Sequence, residues 1–108
     1  MKLLSLNIRG VGGGQKYTLL KHLVASVKPY LVFFQETMVS ADCARLTLGK
    51  LFPAWGICSS DSEGLSGGLF VAWDKNVFNL CPFLTNAGIL SEGVVRIGNF
   101  PIRFLNCY

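Results

Sequence analysis

The sequence is short of charge and of the side chains most often recruited for metal and acid–base chemistry. Only 15% of its 108 residues are Asp, Glu, Lys or Arg, against about 25% in an ordinary soluble domain. There is a single histidine, His22, and no CxxC pair: Cys43, Cys58, Cys81 and Cys107 lie 15, 23 and 26 residues apart. That spacing excludes a clustered zinc site. Cys58, Cys81 and Cys107 fall in strand-like apolar stretches, where buried, reduced thiols are expected. No apolar run approaches the ~20 residues of a membrane span. Met1 to Leu6 begins like a signal peptide, but Asn7 and Arg9 interrupt it early, so an intracellular chain is expected. There is no dense basic run either. Ten Lys/Arg against six Asp/Glu give +4, scattered from Lys2 to Arg103, which suits a polyanionic partner and suits ordinary solvated faces equally.

What is abundant is apolar surface. The chain is 51% hydrophobic, with a mean hydropathy of +0.45. At this length it forms at most one domain. Such a composition buries both faces of its sheets or leaves one face for another partner.

The central stretch is Leu31-Val32-Phe33-Phe34-Gln35-Glu36-Thr37. A run apolar on both faces reads as a strand buried between two layers. Glu36 directly follows it, at the strand end where ligands gather in open α/β sheets. Its carboxylate either faces solvent or is answered by a partner, and a hard divalent cation such as Mg2+ is a candidate. Upstream, Lys2 to Ile8 alternates as a first strand with Asn7 at its C-terminal end. Gly10 to Lys16 is glycine-rich, but Gln15 and Tyr17 flank Lys16 where a P-loop needs Gly and Ser or Thr. A flexible connection to a helix is the better reading. Leu20, Leu23, Val24 and Val27 make the apolar stripe of that helix, with His22 on its exposed face, and Pro29 closes it. The result is a βαβ unit with parallel strands and a right-handed crossover, so Asn7 and Glu36 leave the sheet at the same end.

A second helix starts at Ser40 as N-cap, with Asp42 in its first turn, and ends by Pro53. The remainder is β: a short strand Trp55 to Ser59, a polar loop Ser60 to Gly64, then strands Leu69 to Trp73 and Val77 to Phe83. Gly88 to Gly98 holds another strand, and after a turn at Gly98 to Pro101 comes the last, Ile102 to Tyr108. In that last strand Ile102, Phe104 and Asn106 share a face. A chain ending inside an apolar strand is unusual for a complete domain.

The order Leu6-Asn7-Ile8-Arg9-Gly10, Gln35-Glu36-Thr37, Ser66-Gly67-Gly68 and Asn106-Cys107-Tyr108 resembles the N-terminal half of the endonuclease/exonuclease/phosphatase superfamily, the deoxyribonuclease I-like fold. The stretch Gly64 to Gly68 is most like the endonuclease domain of plant LINE-type (non-LTR) retrotransposons. The resemblance covers all 108 residues and implies an α/β sandwich. Specifically, it implies half of a four-layer α-β-β-α arrangement, with one mixed sheet carrying two helices on one face. It further implies that Glu36 holds a catalytic Mg2+, or Mn2+ in its place. Asn7 would orient the metal or a phosphate oxygen, and Tyr108 would contact phosphate. For Asn7 the alternative is capping a turn, and for Tyr108 a frayed terminal aromatic. The implied reaction is phosphodiester cleavage on DNA by metal-activated water. Arg9 stands where the apurinic endonucleases carry Asp, as it often does in the plant retrotransposon proteins, and would attract phosphate instead. The superfamily's Asp-x-Asn and Ser-Asp-His motifs have no counterpart here. The expectation is therefore a fragment inactive alone, nuclear if derived from a retroelement. Its inner sheet face would lack cover and be free to meet the missing half or a second copy. The alternatives are a non-catalytic nucleic-acid or protein interaction module and a degenerate retroelement remnant.

Overall fold

The computed structural model describes residues 1–11, 14–63 and 66–108. Gly12 and Gly13 of the glycine-rich connection, and Gly64 and Leu65 of the Gly64–Gly68 stretch, lie outside the described residues.

The doubly apolar run folds as strand β2 (Leu31–Gln35), and the first strand is β1 (Leu3–Asn7). They pair in parallel, Leu3 opposite Leu31 and Asn7 opposite Gln35. The helix between them is α1 (Gly14–Val27). Helix α2 (Ala41–Leu48) follows, and Ser40 caps it as expected: its Oγ accepts from the Cys43 N–H at 3.2 Å, satisfying one orphan donor of the first turn. A 3₁₀ turn, Gly49–Leu51, continues it. Strands β3 (Gly56–Glu63) and β4 (Ser66–Trp73) complete a mixed sheet of order β1-β2-β4-β3, with β4 antiparallel to both neighbours.

Both helices lie on one face of this sheet. Leu20 of α1 and Ala44 and Leu48 of α2 pack on Val32, Phe34, Phe70 and Ala72. Phe34, Phe52 and Phe70 form an aromatic cluster with centroids 5.7 to 6.4 Å apart. Truncating a fully buried aromatic of this kind costs about 3–5 kcal/mol.

The opposite face corrects an expectation. The sequence leads one to expect this face bare, but strands β5 (Phe78–Leu84), β6 (Gly88–Val95) and β7 (Phe100–Cys107) form a second, antiparallel sheet. That sheet packs on it: Phe78, Leu80 and Ile89 meet Leu31, Leu69, Val71 and Trp73. The architecture is an α/β sandwich of helices, mixed sheet and antiparallel sheet. Strand alternation reveals that a residue pair shares a face, but not that the later strands leave the first sheet to roof it. The cover stops short of β1, whose Leu3 stays 53% exposed.

Two further expectations change. The polar segment Ser60–Glu63 is strand rather than loop, with Ser60 opposite Leu69 and Ser62 opposite Gly67. Cys81 and Cys107 are exposed, not buried, and Cys58 is half-buried. Cys81 and Cys107 alternate with residues of the core face, so they point outward from the second sheet. No helix among the described residues is long and apolar enough to cross a membrane.

Candidate functional site

The topology brings several chain segments to one rim. β1 and β2 are parallel, so Asn7 and Glu36 leave the sheet together. β4 runs the other way and enters at the same rim through Gly67 and Gly68, and β3 leaves there through Ser60 to Glu63. The second sheet contributes the end of β7 and the β5–β6 turn, with Gly88 opposite Cys107.

The backbone of this rim is unusual. Gly10 N–H donates to Glu36 O at 2.7 Å, Val11 N–H to Thr37 O at 3.2 Å, Thr37 N–H to Gly68 O at 3.2 Å and Met38 N–H to Gly67 O at 3.0 Å. The ladder therefore continues past the strands, but through left-handed residues: Arg9, Glu36 and Met38 have φ of 51°, 54° and 59°, and Gly10, Gly67 and Gly68 join them at 94°, 77° and 88°. Side-chain-bearing residues resist this conformation by about 1–2 kcal/mol each. Such strain persists where the surroundings over-determine it, and it clusters at functional sites. Lys16 helps hold the rim: its Nζ donates to Ile8 O at 2.6 Å and Gly10 O at 3.3 Å. The lysine of the glycine-rich stretch thus binds the turn it follows.

Glu36 is half-buried, and its residue lines two clefts. One, of about 410 Å³, also involves Ser5, Asn7, Gln35, Asn106 and Tyr108. The other, of about 470 Å³, also involves Asp61, Thr85, Asn86 and Tyr108. Glu36 and Tyr108 thus separate and share both. Among the described residues no cation pairs with the Glu36 carboxylate; the ion pairs are Arg45–Asp42 and Arg103–Glu92.

Asn7 takes the turn-capping alternative, its Oδ1 accepting from the Arg9 N–H at 3.1 Å. That bond fixes its side chain on the rim beside Gln35. Tyr108 is anchored rather than frayed: its hydroxyl donates to Ser60 Oγ at 3.2 Å and its N–H to Ala87 O at 3.4 Å. Asn7, Glu36 and Tyr108, the three residues singled out from the sequence, therefore meet at one place. His22 stays exposed on α1.

Three participants were missed. Asp61 looked like loop; in the fold it lines the larger cleft and caps α2, its Oδ1 accepting from the Ala41 N–H at 2.7 Å. Gln35 and Asn106 form a polar link between the sheets, with Gln35 Nε2 donating to Asn106 Oδ1 at 2.8 Å and to Ser5 Oγ at 3.1 Å. The signal for Asn106 was its phase, a polar residue alternating with Ile102 and Phe104 on the buried side.

The donor set suits a hard cation. Glu36 supplies one carboxylate at the edge of two clefts, and Mg2+ is typically held by one or two carboxylates with retained waters and substrate phosphate. Among the described residues no group of three His, Cys, Asp or Glu gathers, so this is an open oxygen site and not an all-protein cage.

No family profile and no curated protein matches the chain. Among solved structures it is similar to truncated TDP2 of Caenorhabditis elegans, with a TM-score of 0.65 and 23% identity over 94% of this chain. The likeness is one of fold. The chain spans 43% of the length of the TDP2 chain.

Proposed function

We propose, from that shared fold, that the chain is part of a Mg2+-dependent, phosphodiester-cleaving endonuclease-like domain acting on DNA, and that it is inactive alone. The observation that carries this reading is the Glu36 carboxylate, held in a left-handed turn between two clefts with no protein cation on it among the described residues. When bound there, Mg2+ would polarise a phosphoryl oxygen and stabilise a leaving alkoxide. Of the chain's own residues, Glu36 would anchor the cation, Asn7 would fix the neighbouring turn, and Tyr108 would turn its hydroxyl from Ser60 Oγ to a phosphate oxygen. Mn2+ would serve in place of Mg2+. General-base and water-positioning groups would come from a further segment of the domain. The Ser-Gly-Gly context and Arg9 align the chain with plant LINE-type endonucleases, and on that lineage it would act in the nucleus.

The test is Mg2+ and Mn2+ titration of the wild-type chain and of Glu36→Gln, followed by plasmid nicking. Saturable binding lost in Glu36→Gln, without nicking, supports the reading. Equal binding by both chains removes it, and robust nicking overturns the inactivity.

A second reading, a non-catalytic interaction module, draws on the outer face of the antiparallel sheet. Phe83, Leu90 and Leu105 stand in register there, with Phe83 49% and Leu105 44% exposed. Self-association through this face, or salt-dependent DNA binding indifferent to Mg2+ and Glu36→Gln, would favour it.

A further inference from the structure

Asn106 is 1% exposed, and its amide spends both donor hydrogens and one acceptor position on the other sheet. Nδ2 donates to Phe34 O at 3.2 Å and to Phe70 O at 3.0 Å, while Oδ1 accepts from Gln35 Nε2 at 2.8 Å. Phe34 and Phe70 are directly paired residues of β2 and β4. One side chain of β7 therefore clasps two strands of the opposite sheet, two residues before Glu36 on one side and two residues before Tyr108 on the other. A buried amide with three partners is a strong geometric lock, because any sliding of the sheets leaves several polar groups unpaired at once.

We propose that Asn106 is the positioning residue of the site. It sets the separation between Glu36 and Tyr108, two groups that lie on different sheets and, among the described residues, are otherwise linked by side chains at this rim through the Tyr108–Ser60 contact. Apolar packing between the sheets, as by Phe33 on Phe104, tolerates small slips. The amide does not. This inference rests on Glu36 being the cation ligand, and it adds that the cation's surroundings are tuned through Gln35 and Asn106 rather than by Glu36 alone.

The experiment uses the whole chain, isotope-labelled, with Mn2+ as a paramagnetic probe read by NMR. In the wild type, Mn2+ broadens Glu36, Asn7 and Tyr108 together. In Asn106→Leu the helix-layer signals of Leu20, Val32 and Leu48 stay in place. Mn2+ affinity falls about tenfold, the scale of losing an outer-shell partner of a metal ligand. Tyr108 loses its broadening relative to Asn7, and its ring loses its nuclear Overhauser contact with Ser60. If Asn106→Leu does not fold, Gln35→Ala keeps the clasp to Phe34 and Phe70 while removing the arm to Oδ1, and the same changes are expected at smaller amplitude. Wild-type affinity together with a wild-type Asn7-to-Tyr108 broadening ratio in the folded variant overturns the inference. If Mn2+ does not bind the wild type, the cation reading of Glu36 fails instead. The metal-free Tyr108–Ser60 contact then decides alone: its loss in the variant supports Asn106 as the spacer, and its persistence overturns it.

Discussion

The hydroxyl of Tyr108, at the end of the antiparallel sheet, donates to Ser60 Oγ in the mixed sheet at 3.2 Å, and the same Oγ accepts from the Leu69 N–H at 3.1 Å. The two ends of this relay differ in burial. Tyr108 is 62% exposed, whereas Ser60 is 5% exposed. Tyr108→Phe deletes a bond that water can replace and is expected to cost no more than about 0.5–1.5 kcal/mol. Ser60→Ala strands a buried backbone donor and is expected to cost about 1–3 kcal/mol. Urea unfolding of both variants checks the order.

At Gly68 the backbone and a neighbour both exclude a side chain. Its φ is +88°, and a Cβ there would lie 2.1 Å from Thr37 Oγ1. Gly68→Ala is expected to destabilise by more than about 2 kcal/mol, from left-handed strain plus overlap. Thr37 Oγ1 is itself buried without a hydrogen-bond partner among the described residues. Thr37→Val, which removes that orphaned hydroxyl at constant shape, is expected to be neutral or stabilising by up to about 1 kcal/mol. Thermal melts of the two variants should move in opposite directions, or leave Thr37→Val unmoved.

Lys16 makes two bonds to carbonyls of the turn after β1. Hydrogen bonds from a charged donor contribute about 1.5–3 kcal/mol. Lys16→Met keeps the aliphatic stem, loses this amount at most, and is expected to speed amide exchange at Gly10 and Val11 before it lowers global stability. Native-state hydrogen exchange reads the difference.

Burial pushes the Cys58 thiol above its usual value of 9.0, and Arg45 opposes this only in part. In that window the native state holds a proton that the unfolded chain releases. The contribution is therefore constant below about pH 9 and turns against folding as pH rises beyond it. Stability of the wild type should fall more steeply above pH 9 than that of Cys58→Ala. In thiol labelling, Cys43, Cys81 and Cys107, all exposed, should react first and Cys58 last.

The βαβ opening was legible because Leu31 to Phe34 is apolar on both faces, and only a strand between two layers buries such a run. The meeting of Asn7 and Glu36 then followed from parallel pairing alone. What covers the second face was not legible. Residues 78–107 alternate as well in a sheet of their own as in an extension of the first, and the choice is made by packing between Phe78, Ile89 and Val71 that no local pattern encodes. The polar spelling of Ser60-Asp61-Ser62 reads as loop, although it is the rim end of a strand where both faces are wet or bonded. The left-handed turn at Glu36 had no signal either, since glutamate is not a residue that favours it. Asn106 lies between these cases, its phase visible in the sequence and its partners not.

The clasp made by Asn106 joins residues 72 and 36 positions apart, and its bond to Gln35 spans 71. The antiparallel sheet, by contrast, is a meander of sequence neighbours. Local hairpins close quickly and distant pairings late. On a ribosome the cleft would be absent until residues 106 to 108 have been made, and every shorter nascent chain would display two half-sites that have never met.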